Sequence, residues 1–167
     1  KGIKNKNHLK LGKKNLVEIS IKNAKKSKLL NKIIFSTDDK RLKNKAVSMG
    51  ISAPFIRPKK LSNDKATSFS VLKHAITWLE KNQNWKTDIV VLLQPTTPFR
   101  NKIHIEEILK VADNSFDMVV SVKKTKSNPF FNLFYENNEG YLQKINNFKS
   151  TRRQDCPSVY EYNGSMY

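Results

Sequence analysis

The chain has a single cysteine and no long apolar run, and each absence excludes a class of protein. Cys156 has no second cysteine for an internal disulfide and no Cys or His neighbour at the spacing of a metal site. A disulfide scaffold and a zinc module are therefore excluded, and a reducing compartment is favoured. No apolar stretch approaches the roughly 18 residues that a membrane-spanning helix needs. We expect a cytoplasmic protein without a membrane partner.

Acidic residues are scarce, and so are arginines among the basic residues. The chain has 32 Lys and Arg against 14 Asp and Glu, a net charge of +18, but 27 of the 32 basic residues are lysines. Recognition of bases and phosphates favours the planar fork of arginine, and the 18 asparagines indicate a general bias towards Lys and Asn. Most of this charge is expected to face water. Nucleic acid is not an expected partner, and a basic nucleic-acid-binding module is kept as the distant alternative.

The longest apolar run indicates where the core of the chain lies. Residues 89–93 are Ile-Val-Val-Leu-Leu, a pattern typical of a strand that is covered on both faces in a parallel sheet. The run ends in Gln94-Pro95-Thr96-Thr97-Pro98, where two prolines stop the strand and hold polar side chains at its carboxyl end. Ligands of open α/β sheets bind at that edge.

Apolar runs and amphipathic stretches alternate along the first 123 residues. Further strands are predicted at residues 32–37, 52–56 and 117–122, and helices are predicted at 14–28, 40–49, 68–81 and from Asn101 onward. Asp38 and Asp39 are interpreted as caps of the second helix rather than as site residues. His74 lies off the apolar stripe of the third helix, so we expect it to be exposed. The alternation indicates an α/β fold with a mainly parallel sheet.

Beyond Lys123 the pattern changes to short aromatic segments. Residues 129–135, 141–145 and 159–162 are separated by turns such as Asn137-Asn138-Glu139-Gly140, which is typical of antiparallel β structure. We therefore divide the chain into an α/β core at 1–123, a β-rich extension at 124–160, and a return to the core at 161–167.

Four ordered segments of the chain read as motifs. They are Lys1-Gly2 with Lys6-Asn7, residues 57–68, residues 92–100 (Leu-Leu-Gln-Pro-Thr-Thr-Pro-Phe-Arg), and the pair 152–157 and 163–167. Together they resemble the motifs of the acylneuraminate cytidylyltransferases, the CMP-N-acetylneuraminic acid synthetases, and residues 92–100 resemble the central motif of that family. The resemblance implies a Rossmann-like nucleotidyltransferase sheet sandwiched by helices. It also implies that residues 1–123 bind the nucleotide and that the extension forms a homodimer.

The resemblance implies transfer of CMP from CTP to the anomeric hydroxyl of a sialic acid of the N-acetylneuraminic acid type, with release of pyrophosphate. Such in-line displacement at phosphorus depends on positioning and charge neutralisation. By resemblance, the residues that would bind CTP are Lys1, Lys6, Asn7, Arg57 and Ser68. Lys6 would also be catalytic, and Arg57 would read the cytosine edge. By the same resemblance, the residues that would bind the sugar acid are Gln94, Thr96, Arg153 and Tyr167. Arg153 would pair with the substrate carboxylate.

The resemblance also implies a cofactor and leaves the sugar acid open. Relatives bind Mg²⁺ through a pair of aspartates beyond the segment that matches 163–167, so we expect Mg²⁺ with ligands outside this chain. They also carry an apolar strand before the segment that matches Lys1-Gly2. The hypothesis is therefore that the chain is the interior of a longer enzyme. The close alternative is a cytidylyltransferase for pseudaminic or legionaminic acid, because the motif residues contact parts that these acids share.

Overall fold

The computed structural model describes residues 6–113, 115–146, 148–149 and 152–167, which form two units. Unit 1 holds the described residues up to Val120 together with Gly164–Tyr167, and unit 2 is Ser121–Asn163. The α-helices are α1 (Leu16–Lys26), α2 (Lys40–Ser48), α3 (Ser68–Gln83) and α4 (Lys102–Val111). The strands are β1 (Lys10–Leu11), β2 (Lys14–Asn15), β3 (Val122–Lys124), β4 (Phe134–Glu136), β5 (Leu142–Lys144) and β6 (Tyr160–Tyr162). Short 3₁₀ helices span Lys6–His8, Lys59–Leu61 and Arg153–Asp155.

Side-chain caps define where the four helices begin. Asn15 and Glu18 form a reciprocal capping box at α1. Asp39 accepts from two backbone N–H groups at the start of α2, and Thr67 accepts from one at the start of α3. Asn101 caps α4. The predicted helices therefore lie where expected, although α1 is shorter than 14–28 because the chain before Asn15 forms the β1–β2 hairpin.

The core of unit 1 lies between α1, α2 and two extended segments. Its buried residues are Val17, Ile21, Leu42, Ala46, Ile51 and Ala53, with Ile33, Phe35 and Met49 packed against them. Apolar residues of α1 and α2 recur at helical spacing and so share one face.

The mainly parallel sheet is not confirmed. The described residues form three two-stranded antiparallel sheets, β1–β2, β3–β6 and β4–β5. One isolated parallel bridge joins Ile34 to Ser52, and one isolated antiparallel bridge joins Leu93 to Met166. The chain is therefore a mixed α/β protein in which the predicted strands at 32–37, 52–56 and 89–93 make bridges rather than ladders.

The exposure of their side chains corrects the prediction that two of these segments are buried strands. Ile89 and Val90 are 49% and 38% exposed, so the prediction that residues 89–93 are covered on both faces is wrong. Met118 is 61% exposed and the strand nearest to residues 117–122 begins only at Val122, so that prediction is wrong as well. An apolar run indicates that a segment tends to be buried, but it does not indicate which neighbouring segment packs against it.

Unit 2 contains antiparallel pairs, as predicted, although residues 129–132 form a turn and the strand predicted at 129–135 begins only at Phe134. Val122 pairs with Tyr162 and Lys124 with Tyr160, while Phe134 pairs with Lys144. Gly140 adopts φ +84° in the turn before β5, a conformation that favours glycine. The role of this unit in dimerisation stays a prediction.

Candidate functional site

The turn that carries Lys6 and Asn7 is held by a contact from a distant part of the chain. His8, the last residue of this 3₁₀ turn, places Nε2 2.6 Å from Oδ2 of Asp39. Lys6 is exposed and Asn7 is half-buried. The Asn7 Oδ1 atom is buried and has no hydrogen-bond partner among the described residues. Lys1, which was also predicted to bind CTP, lies outside the described residues.

Arg57 is held by the Asp38 carboxylate and by residues of its own loop. Its backbone N–H donates to the Thr37 carbonyl over 2.8 Å. Its Nε donates to Ser62 Oγ over 3.1 Å, and its Nη2 lies 3.5 Å from Asp38 Oδ1. Asp38 therefore contacts Arg57 and does not cap α2, which corrects the prediction that both aspartates are caps. The adjacent residues Asp38 and Asp39 thus contact, at Arg57 and at the Lys6–His8 turn, the two segments that were predicted to bind CTP.

Asp39 combines a helix cap with the contact to His8. Backbone hydrogen bonds, the strongest from Leu42 N–H, lower the pKa of the Asp39 carboxyl below its ordinary value, and His8 adds to this effect. The carboxylate is therefore ionised at neutral pH. Its two oxygens are divided between the two tasks, since Oδ1 accepts from Arg41 and Leu42 N–H while Oδ2 contacts His8.

The Gln94 segment forms a turn that is attached to the last residues of unit 1. Thr97 N–H donates to the Gln94 carbonyl over 3.4 Å, and Gln94 N–H donates to the Ser165 carbonyl over 3.3 Å. Thr97 Oγ1 donates to the Gly164 carbonyl over 3.2 Å. Leu92 and Tyr167 exchange backbone hydrogen bonds of 2.8 and 3.3 Å. The turn presents Gln94 half-buried and Thr96 exposed.

A cavity of about 750 Å³ in unit 1 brings part of the predicted site together. Asn7, Arg57 and Gln94 line it, although they come from three separate segments. Apolar residues of α1 and α3 and the extended segments around residues 34 and 91 form much of the remaining lining. Of the other predicted residues that the structure describes in unit 1, Lys6, Ser68, Thr96 and Tyr167 do not line it. Arg153 belongs to unit 2, where it is exposed at the start of a 3₁₀ helix.

Two residues with clear geometric importance received no role from the sequence. His8 follows Lys6-Asn7 directly, but nothing in the sequence indicates that it meets Asp39. Arg100 is the last residue of the central motif and is only 3% exposed. Two of its acceptors, the Ser165 carbonyl and Ser20 Oγ, are 65 and 80 positions away, and nothing in the motif indicates that the Gln94 carbonyl accepts as well. His74, expected to be exposed, is instead half-buried, with its ring centroid 4.7 Å from that of Phe55.

The described part of the chain offers no obvious metal centre. Among these residues, no group of three or more His, Cys, Asp or Glu side chains is arranged to hold a metal ion. Asp38 and Asp39 do not fit a magnesium pair, because one contacts Arg57 and the other caps α2 and contacts His8. No helix among the described residues has both the length and the apolar character to cross a membrane.

Comparisons with known proteins agree on a family. A sequence profile described as Cytidylyltransferase matches residues 1–166. A pseudaminic acid cytidylyltransferase of Campylobacter jejuni is 34% identical over 173 residues, covering 100% of this chain and 72% of that protein. A CMP-N,N'-diacetyllegionaminic acid synthase of the same species is 31% identical over 171 residues, covering 100% of this chain and 71% of that protein. An N-acylneuraminate cytidylyltransferase of Escherichia coli O18:K1:H7 is 38% identical over 130 residues, covering 77% of this chain and 29% of that protein.

The profile match spans nearly the whole chain, and it includes all three segments that meet at the cavity of unit 1. Segments that supply an amide, a guanidinium and a second amide to one cavity suit the recognition of a polar ligand rather than a purely apolar one. The chain belongs to the cytidylyltransferase family and is a nucleotidyltransferase.

Proposed function

We propose that this protein transfers CMP from CTP to the anomeric hydroxyl of a nonulosonic acid and releases pyrophosphate. The observation that carries the proposal is the meeting of Asn7, Arg57 and Gln94 at one cavity. The family match and the named activities of the relatives support the same reaction. The reaction needs a base reader, a triphosphate clamp and a sugar-acid pocket, and the residues present can supply parts of each.

Arg57 is the proposed reader of the cytosine edge. A guanidinium has five N–H donors, and contacts to Ser62 and Asp38 engage two of its nitrogens. Remaining donors can be directed at the O2 and N3 acceptors of cytosine. Uracil presents an N–H at position 3, which would face the guanidinium without an acceptor. A buried polar group left unpaired in this way costs about 1–3 kcal/mol, which is enough to discriminate between the bases.

The Lys6–His8 turn is the proposed clamp for the ribose and triphosphate. The Oδ1 of Asn7 is a hydrogen-bond acceptor without a partner among the described residues, so it suits a ribose hydroxyl, which can donate, better than a phosphate oxygen. Lys1, Lys6 and Ser68 are kept as proposed phosphate or ribose contacts, with Lys6 in the catalytic role of neutralising charge on the triphosphate. Mg²⁺ would supply further charge neutralisation when bound.

The sugar-acid side of the site is proposed to involve Gln94, Thr96, Arg153 and Tyr167. Arg153 would pair with the substrate carboxylate, in its own subunit or, in a homodimer, in the neighbouring one. N-acetylneuraminic acid is the first candidate substrate. Pseudaminic and legionaminic acids are the second candidates, because relatives named for each acid match the whole chain at 31–34% identity.

Binding of CTP and UTP, measured by calorimetry on the unaltered protein and on Arg57→Ala, tests the base assignment. We expect the unaltered protein to prefer CTP by about tenfold or more, and Arg57→Ala to lose that preference while keeping its fold by circular dichroism. Arg41→Ala is the matched control, because Arg41 is an exposed arginine on α2. Equal affinity for CTP and UTP in the unaltered protein would refute the role of Arg57.

A further inference from the structure

Arg100 is a buried charge that contacts no carboxylate among the residues that the structure describes. It is 3% exposed, and among the described residues its side chain donates only to neutral oxygens. Its Nε atom has no hydrogen-bond partner among these described residues. Burial lowers the pKa of Arg100 to about 10, so the side chain is still protonated near neutral pH. A fold that buries an unpaired cation incurs a substantial desolvation cost, which needs a compensating reason.

The hydrogen bonds of Arg100 connect three parts of unit 1. Nη1 donates to the Ser165 carbonyl over 2.6 Å and to the Gln94 carbonyl over 3.3 Å, and Nη2 donates to Ser20 Oγ on α1 over 2.7 Å. Asn23, also on α1, donates from Nδ2 to the Arg100 carbonyl over 2.6 Å. Helix α1 therefore fixes Arg100 at two points, and Arg100 in turn fixes the two loop carbonyls.

Those two carbonyls are the ones that define the Gln94 turn. The Gln94 carbonyl also accepts from Thr97 N–H and so closes the turn, while the Ser165 carbonyl also accepts from Gln94 N–H and so attaches the turn to the end of unit 1. A single planar guanidinium reaches both oxygens and a third acceptor, whereas a lysine ammonium on a flexible stem does not fix such a plane.

We propose that Arg100 is a positioning residue, whose buried guanidinium locks the Gln94–Thr97 turn to α1 and to the end of unit 1 and so sets the direction of Gln94 and Thr96. The inference rests on the proposed function only in naming the ligand of this turn as the sugar acid. Arg100 does not touch the substrate in this proposal. It makes the turn rigid before the sugar acid binds, which lowers the ordering cost of binding.

Ser20→Ala tests the proposal without removing the buried charge, and Ser27→Ala is its matched control. Both serines are buried, at 9% and 6% exposure, and Ser27 follows the last residue of the same helix. Ser27 Oγ accepts from Leu29 N–H, and of these two serines only Ser20 accepts from Arg100. Both variants therefore remove a buried serine hydroxyl, but only Ser20→Ala removes a hydrogen bond from the Arg100 guanidinium, that of Nη2.

The readout is steady-state pyrophosphate release, with the KM of each substrate measured separately. We expect Ser20→Ala to raise the KM for the sugar acid by about tenfold, the factor for one lost charge-assisted hydrogen bond. The KM for CTP should change less than about twofold in Ser20→Ala, and both KM values should stay unchanged in Ser27→Ala. Arg100→Lys should show a larger effect in the same direction. Equal effects on both substrates, or no difference between the serine variants, would overturn the proposal.

Amide hydrogen exchange gives a second test that needs no activity. We expect the Gln94 and Thr97 amides to exchange about tenfold faster in Ser20→Ala than in Ser27→Ala, because their acceptors are the carbonyls that Arg100 holds. Unchanged exchange would overturn the positioning role. If the unaltered protein releases no pyrophosphate with any nonulosonic acid while exchange responds as expected, the proposed function fails and the lock on the turn stands.

Discussion

Substitutions of Asp39 should distinguish the contribution of the helix cap to the free energy of unfolding from that of the contact with His8. Replacement by alanine removes an acceptor from two backbone N–H groups, at 2.7 and 3.0 Å, and also removes the partner of His8 Nε2. Loss of a cap costs about 1 kcal/mol. The two side chains of the His8 contact are 35% and 34% exposed, so the contact is screened by water and should contribute about 0.5 kcal/mol. Asp39→Ala should therefore lower the free energy of unfolding by about 1.5 kcal/mol.

Asp39→Asn distinguishes the two contributions. Asparagine caps helices about as well as aspartate, so this variant should lose only the part that depends on charge, about 0.5 kcal/mol. Urea unfolding at pH 7, followed by circular dichroism, measures both variants, and His8→Ala completes a double-mutant cycle. The cap assignment would be refuted if Asp39→Asn were as damaging as Asp39→Ala.

The pH dependence of the free energy of unfolding tests the same Asp39 interactions, and its direction follows from the shift of the Asp39 pKa. The pKa of the Asp39 carboxyl is lower in the folded protein than its ordinary value, because the charged form accepts backbone hydrogen bonds. Its contribution is therefore complete above the unfolded pKa of about 3.9 and is lost as the pH falls through the folded pKa. The stability difference between the unaltered protein and Asp39→Asn should shrink over that acidic range. A difference that stayed constant below pH 4 would contradict this account.

Three further changes test other parts of the fold by urea unfolding. Glu18→Gln should cost about 0.5 kcal/mol at pH 7, because it removes the charge that Lys45 contacts over 2.8 Å. That difference in the free energy of unfolding should disappear under acid conditions, because the pKa of Glu18 is lowered, mainly by its contact with Lys45 and also by the Asn15 N–H. A difference that persisted in acid would contradict this account. Ile105→Ala should cost about 2–5 kcal/mol because Ile105 is fully buried, and a cost below 1 kcal/mol would show a site that collapses easily. Asn84→Gly should be neutral or stabilise by a few tenths of a kcal/mol, since Asn84 holds φ +48° at the end of α3; a clear loss would point to an unseen role for the amide.

The local signals in the sequence predicted where the helices lie, and they predicted Asp39, though not Asp38, correctly as a cap. Thr67 and Asn101 stand immediately before α3 and α4, and each is followed by an apolar pattern of helical period. The antiparallel β4–β5 pair of unit 2 was also predictable, because its two aromatic segments flank a run of turn residues. These features depend on residues that are close together in sequence, where propensity and capping chemistry are informative.

The arrangement of the central segments could not be predicted in the same way. The run at residues 89–93 is apolar enough for a buried strand, yet it makes one isolated bridge, to Met166 from Leu93. Whether a strand forms a ladder depends on which segment lies beside it, and a single sequence does not record that neighbour. The contact between His8 and Asp39 and the hydrogen bonds from Arg100 to Ser165 and Ser20 were unpredictable for the same reason, since each joins residues that are 31 or more positions apart.

The same distinction applies to the candidate site. The motifs singled out Arg57 and Gln94 by resemblance, and the structure places both at one cavity with Asn7. The sequence did not indicate that Asp38 contacts Arg57 while Asp39 contacts His8, although the two aspartates are adjacent. Motif residues can thus be identified from the sequence, whereas the residues that hold them require the fold.

The most direct test of the central claim is pyrophosphate release by the protein at its full natural length, with CTP, Mg²⁺ and a panel of nonulosonic acids. The panel includes N-acetylneuraminic, pseudaminic and legionaminic acids, with UTP and the omission of Mg²⁺ as controls. We predict release that requires CTP and one of these acids, and the acid that supports it identifies the substrate. A folded protein that binds CTP but releases no pyrophosphate with any acid would contradict the proposed function.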